Sequence, residues 1–208
     1  MLMKLAVFDF DSTLMDGETI DILAHHYGVG EEVDRITKGA MEGGLDFYES
    51  LKRRVALLRG MELSLVEEIC ANLTLMEGAK DLIHELKRRD YKVVVFSGGF
   101  KNATSKARET LGLDADFSNI LHHKEGKLTG EVGGEMMFGS SKGEMMQTLQ
   151  RLLGISPELT MAVGDGANDA SMFPFAKQRV AFCAKPILRE KANIIIEKKD
   201  LREILAHL

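Results

Sequence analysis

The sequence predicts an α/β fold: a Rossmann-like, mainly parallel sheet core carrying an inserted helical-bundle cap domain. Three observations point there. Short β-rich apolar runs alternate with amphipathic helical patterns along most of the chain, the signature of a parallel sheet covered on both faces. About sixty residues after the first run contain no convincing strand. The polar residues able to do chemistry gather just beyond the carboxyl ends of the candidate strands, where open parallel sheets bind ligands. A length of 208 residues suits one large domain bearing a smaller insertion.

Taken in order, Lys4–Phe10 reads as the first strand, running into Asp9 and Asp11. Residues 17–76 hold three or four helical patterns separated by Gly28-Val29-Gly30, Gly43-Gly44 and Gly60, and are expected to form the cap. Residues 1–16 and 77–208 form the core. There, helices are expected at Ala79–Arg89, Lys101–Leu111, Lys142–Leu153, Asn168–Phe175 and Leu201–Leu208. Gly112 and Gly154 supply the stop signals of two of them. Strands are expected at Lys92–Phe96, Thr160–Val163, Arg179–Cys183 and Ile194–Ile196. Phe117–Val132, around Lys124-Glu125-Gly126-Lys127, reads as a β-hairpin excursion from the alternating pattern.

Composition narrows the function. Net charge is −5, and Lys and Arg form short clusters beside Glu and Asp rather than a stripe, which argues against nucleic acid as a partner. No apolar run is long enough to cross a bilayer, and the first is too short for a signal sequence, so a cytoplasmic protein without a membrane partner is expected. Cys70 and Cys183 lack redox or metal spacing, and the pairs His25-His26 and His122-His123 lack a third ligand, which argues against zinc.

Four polar signals remain. Residues i and i+2 of an extended chain point the same way, so Asp9 and Asp11 would share one side and repel each other unless a cation intervenes. After the second core strand comes Ser97-Gly98-Gly99, a hydroxyl followed by backbone that a ligand can approach closely. Lys142 opens a helix after Ser140-Ser141, and Gly164-Asp165-Gly166-Ala167-Asn168-Asp169 follows a further strand. Together they meet the needs of phosphoryl transfer, which rests on positioning and charge neutralisation. Asp9 can act as nucleophile, and Asp11 as the acid and base that serves the leaving oxygen and then water. Mg²⁺ held by Asp9, Asp165 and the Asp11 carbonyl would clamp a phosphoryl oxygen. Ser97, Gly98 and Gly99 would hold other phosphoryl oxygens, Lys142 would neutralise phosphate and nucleophile, and Asp169 and Asn168, the latter also expected to bind substrate, would orient the metal's waters or Lys142. Four carboxylates facing one lysine make sense only with a cation present.

These residues resemble the signatures of the haloacid dehalogenase-like phosphatases: Asp9-Phe10-Asp11-Ser12-Thr13 is similar to the first, Ser97-Gly98-Gly99 to the second, Lys142 to the third and Gly164–Asp169 to the fourth. The likeness extends to the branch of that family that acts on O-phospho-L-serine. Glu18-Thr19-Ile20-Asp21, Met41-Glu42-Gly43, Phe47 followed by Arg54, Phe96–Phe100 and Phe182-Cys183-Ala184-Lys185-Pro186 carry it. The resemblance implies a four-helix cap, with Glu18, Met41, Phe47 and Arg54 facing the substrate, and the last step of serine biosynthesis as the role. Glu18 suits the ammonium and Arg54 the carboxylate of such a substrate, while Met41 and Phe47 would exclude water. Other small phosphomonoesters, such as phosphohomoserine, phosphocholine or a nucleotide, are the nearest alternative. A phospho-receiver module is the alternative from another class. The partner expected is a small-molecule phosphomonoester, acted on by a monomer or homodimer.

Overall fold

The structure is a computed structural model that describes residues 3–41 and 45–208, the Met41 side chain excepted. Its seven strands are β1 (Lys4–Phe8), β2 (Tyr91–Phe100), β3 (Ala115–Lys124), β4 (Lys127–Gly134), β5 (Thr160–Gly164), β6 (Gln178–Phe182) and β7 (Ile194–Ile196). They form one sheet in the order β4-β3-β2-β1-β5-β6-β7. Every neighbouring pair is parallel except β3–β4. The chain leaves β1 toward β2 on one side and returns to β5 on the other. A crevice therefore opens beyond the carboxyl ends of β1 and β5.

Strand alternation divides the core into two layers. Ala6 and Phe8 of β1, Val93 and Val95 of β2, and Val180 and Phe182 of β6 belong to one apolar cluster. Leu5 and Val7, Val94 and Phe96, and Ala181 belong to the other. The first face is covered by α5 (Ala79–Arg88) through Leu82, Ile83 and Leu86, by α6 (Lys101–Leu111), and by Leu201 and Ile204 near the C-terminus. The second is covered by Met146 of α7 (Ser141–Leu153), by Met172 and Phe173, and by Leu188 of α8 (Pro186–Arg189). Each fully buried large side chain contributes about 1.5–3 kcal/mol, so both layers are needed to hold the sheet.

Between β1 and α5 the described residues form α1 (Thr19–Tyr27), α2 (Gly30–Met41), α3 (Phe47–Ala56) and α4 (Leu63–Ala71). Their inward residues Leu23, Val33, Leu51, Val55 and Val66 join the same apolar cluster as Phe8 and Phe100 of the sheet. Asp46 caps α3 by accepting the Glu49 amide at 2.8 Å.

Four sequence expectations need correction. β1 stops at Phe8, because the Phe10 amide turns to the Asp9 side chain and Ser12 takes a left-handed φ of 57°. Ser97-Gly98-Gly99 lies inside β2, which runs to Phe100 with a register shift against β3. The expected hairpin excursion is part of the main sheet, since its first arm pairs in parallel with β2. Residues 168–175 and 201–208 form 3-10 turns rather than α-helices. In the first of these, Pro174 offers no amide, and the Asp169 side chain takes the amides of Asp165 and Gly166.

Candidate active site

Asp9 sits one residue beyond β1, with its amide bound to the Val163 carbonyl of β5 at 2.9 Å. That bond keeps the backbone in the sheet while the side chain reaches into the crevice. Asp9 Oδ1 accepts the Phe10 amide at 2.7 Å and Lys142 Nζ at 2.6 Å. Asp9 Oδ2 has no hydrogen-bond partner among the described residues. Lys142, only 2% exposed, also donates to Asp169 Oδ1 at 2.5 Å. Asp169 Oδ2 accepts the amides of Asp165 and Gly166 at 3.0 and 2.9 Å. Both oxygens of Asp169 are thus committed to holding Lys142 and the turn.

Asp11 is fastened from the start of α1. Its Oδ1 accepts the Thr19 amide at 2.9 Å and the Thr19 hydroxyl at 2.5 Å, at the start of α1. Its Oδ2 faces Gly99: a Cβ on Gly99 would lie 2.6 Å from that oxygen and 3.0 Å from Ser97 Oγ. Ser97 Oγ is fully buried and accepts the Gly99 amide at 2.9 Å. Gly98 is pressed by Phe47 of α3, whose ring would stand 2.7 Å from an added Cβ. Only glycine lets these groups approach each other so closely.

Burial dominates the electrostatics. It pushes Asp9 well above the usual carboxylate range, helped by Asp169 and Asp165 and opposed by Lys142. Burial, then Glu18, raises Asp11 to about 7. Burial, then Asp169 and Glu18, raises Asp165 to about 6. Burial alone would discharge Lys142, but Asp169 and Asp9 outweigh it and hold the ammonium charged. For the Asp9–Lys142 pair, the ammonium is the firmly charged partner, because it binds two carboxylates while Asp9 is crowded by two others.

Of the residues expected to read the substrate, Glu18 accepts Ser12 Oγ at 2.7 Å and adds its charge to Asp11 and Asp165. Arg54 is largely buried; burial lowers its pKa against Asp21, Glu18 and Asp11. Among the described residues its hydrogen bond is a long one, from Nε to the Ser50 carbonyl at 3.3 Å. Asn168 is half-buried, with Oδ1 close to Gly166. The Met41 side chain lies outside the described residues.

Two residues of the site escaped the sequence reading. Thr19 orients Asp11 twice; a hydroxyl residue opening the helix after Asp-x-Asp was the signal available. Asn119, buried in β3, donates to the carbonyls of Gly98 and Met136 and accepts the Met136 amide. It ties the serine-glycine segment to the chain leading into α7, and nothing local in the sequence marks it.

Asp9, Asp165 and Asp169 each offer an oxygen within 4.8 Å of the others. With Asp169 committed, Asp9 Oδ2 and the Asp165 carboxylate, which has no hydrogen bond among the described residues, are the groups left for a cation. An all-oxygen donor set with proton affinity raised by burial suits a hard divalent ion.

A family model described as haloacid dehalogenase-like hydrolase matches residues 3–176. A phosphoserine phosphatase of Wolinella succinogenes is 99% identical over 206 residues, covering 99% of this chain and 100% of that protein. One from Methanocaldococcus jannaschii is 54% identical over 205 residues, covering 99% and 97%. A solved structure described as a phospho-aspartyl intermediate analogue of phosphoserine phosphatase superposes with a TM-score of 0.95 at 53% identity, covering 100% of both chains. A substrate-bound phosphoserine phosphatase complex also superposes with a TM-score of 0.95 at 53% identity, over 100% of this chain and 99% of that one. With the same fold over its full length and the family pattern across most of it, this chain belongs to the haloacid dehalogenase-like hydrolases.

Proposed function

We propose that the chain hydrolyses O-phospho-L-serine to L-serine and inorganic phosphate, with Mg²⁺ as cofactor and an aspartyl-phosphate on Asp9 as intermediate. The observation that carries this reading is the buried Lys142, clamped between Asp9 and Asp169, which leaves Asp9 Oδ2 without a hydrogen-bond partner among the described residues. The substrate class rests on the relatives, which carry the name phosphoserine phosphatase at 99% and 54% identity.

In the first half-reaction Asp9 Oδ2 attacks phosphorus as the seryl oxygen leaves. Asp11, raised to about 7 by burial and Glu18, holds a proton near neutrality and gives it to that oxygen. In the second, ionised Asp11 takes a proton from the water that attacks the aspartyl-phosphate, releasing phosphate and restoring Asp9. Lys142 stabilises the charge on Asp9 and on the phosphoryl group. Ser97, the Gly98 amide and Asn168 hold phosphoryl oxygens, and Gly99, whose amide donates to Ser97 Oγ, leaves them room. Mg²⁺, held by Asp9, Asp165 and the Asp11 carbonyl, would neutralise phosphoryl charge when bound. Asp169 keeps Lys142 and the Asp165 turn in place from behind.

Residues 17–76 act as the cap, and 1–16 with 77–208 as the phosphatase core. Glu18 takes the substrate ammonium and Arg54 its carboxylate, while Phe47 and Met41 exclude water. The enzyme works as a cytoplasmic monomer or homodimer; among the described residues no helix is long and apolar enough to cross a membrane. Phosphate release from phosphoserine beside a panel of small monoesters, with and without Mg²⁺, tests the reading. Faster turnover of an ester lacking the amino-acid head group would sink the substrate assignment.

A further inference from the structure

Among the described residues, backbone hydrogen bonds fasten the four helices to the core at two places. At one, the connecting segments pair with each other: the Met76 amide binds the Leu14 carbonyl at 2.8 Å and the Asp16 amide binds Thr74 at 2.9 Å. At the other, the α3–α4 connection pairs with the tip of the β3–β4 hairpin. Gly60 donates to Leu128 at 2.8 Å, Leu128 to Met61 at 2.9 Å and Leu63 to Gly126 at 2.8 Å, beside a Lys127–Glu62 ion pair at 3.1 Å.

The N-terminal end of α3 is attached differently. Among the described residues its links to the core are side chains: Phe47 against Gly98, and Tyr48 stacked on Phe138. The Tyr48 and Phe138 rings lie 5.1 Å apart at 22°, and Lys52 Nζ, one turn along α3, stands 4.7 Å from the Tyr48 centroid. Phe138 is 57% exposed, so it is not a core residue. It lies on the segment joining β4 to α7, four residues before Lys142, and its backbone is fixed there by reciprocal bonds with Ser141. The stack therefore joins the helix carrying Phe47 and Arg54 to the segment that delivers Lys142.

We propose that Tyr48 and Phe138 are positioning residues for the reaction. Their stack holds the N-terminal end of α3 against the Lys142 segment, and so keeps Phe47 over Gly98 and Arg54 over the substrate head group. Neither ring touches the reacting atoms. A stack of one exposed ring, Phe138, on one half-buried ring, Tyr48, is weak enough to part and strong enough to bias α3 toward the arrangement seen here. Selection follows from this: an ester read by the cap depends on the stack, and an aryl phosphate held by the core's phosphate groups does not. The inference rests on the activity proposed above, and wild-type turnover of phosphoserine tests that activity by itself.

The test compares Tyr48→Ala, Phe138→Ala, their double variant and Tyr48→Phe on phosphoserine and p-nitrophenyl phosphate. Each alanine variant should raise KM for phosphoserine about 10-fold while changing kcat, and kcat/KM for the aryl ester, by no more than ~2-fold. The double variant should be no worse than either single, and Tyr48→Phe should match wild type. Equal losses on both substrates, additive single effects, or a Tyr48→Phe defect as large as that of Tyr48→Ala would each overturn the proposal. A readout without turnover uses the absence of tryptophan from the chain. Tyr48→Trp places one indole at the stack, and adding Phe138→Ala should red-shift its emission and increase its quenching by acrylamide. Unchanged emission and quenching would show that Phe138 does not cover residue 48 in solution, and the proposal would fall.

Discussion

Lys142 Nζ stands 2.6 Å from Asp9 Oδ1, so the carboxylate just beyond the first strand and a helix residue 133 positions later meet in one buried ion pair. Asp169 shares the same ammonium at 2.5 Å. This geometry separates the two oxygens of Asp9: one is held, the other has no hydrogen-bond partner among the described residues. It also concentrates more negative charge than one lysine can balance, and this crowding adds to the burial that raises Asp9 and Asp165.

Asp9→Asn should uncouple activity from stability. The amide cannot form an acyl-phosphate, so phosphoserine turnover should fall by at least about 10³-fold. The substitution also removes a buried, crowded carboxylate while Lys142 keeps Asp169. The metal-free variant should therefore melt no lower than wild type by calorimetry. Retained turnover would remove Asp9 from the nucleophile's place.

The raised carboxylates make the metal-free protein prefer lower pH. Asp11 at about 7 and Asp165 at about 6 hold protons in the fold that the unfolded chain, with ordinary carboxylates, has already lost. Folding takes up protons in that window, so the contribution of these groups to stability falls as pH rises from ordinary carboxylate values through 7. A cation binds the ionised form of Asp165 and reverses that part of the penalty. The rise in melting temperature on adding ~10 mM Mg²⁺ should accordingly be larger near pH 8 than near pH 5.5. Thermal melts across that range, with and without Mg²⁺, check the sign; a pH-independent difference would contradict the assignment of the Asp165 carboxylate to the metal.

Arg54→Ala should act on substrate choice. Loss of a bidentate, charge-assisted pair should raise KM for phosphoserine by about 30–100-fold and change p-nitrophenyl phosphate by less than ~3-fold. Steady-state kinetics on the two esters separates the cases, since equal effects would mean that Arg54 does not read the carboxylate.

Gly99→Ala tests the close approach directly. Its Cβ would stand 2.6 Å from Asp11 Oδ2 and 3.0 Å from Ser97 Oγ, so the Asp11 carboxylate must move. A displacement of that order should lower kcat by about 10²-fold, with a stability cost of about 1–3 kcal/mol. Urea titration beside single-turnover kinetics distinguishes this from general unfolding.

Local pattern alone determined much of this protein. Apolar runs of strand length, helical periodicity and stop glycines placed the strands and most helices, because those signals depend on neighbours a few residues away. The opening Asp9-Phe10-Asp11 and the later Gly164–Asp169 were legible as polar residues beyond strand ends, which is where a parallel sheet exposes its chemistry. Other features were decided only in three dimensions. Ser97-Gly98-Gly99 continues β2 because β3 lies beside it, and residues 167–175 wind as 3-10 turns around the committed carboxylate of Asp169. Asn119 and Thr19 acquire their roles from partners brought in by folding, and Tyr48 meets Phe138 across 90 residues of chain. Hydrogen bonds and ring contacts between distant segments leave no periodic trace in the sequence, whereas burial of a strand or a helix face does.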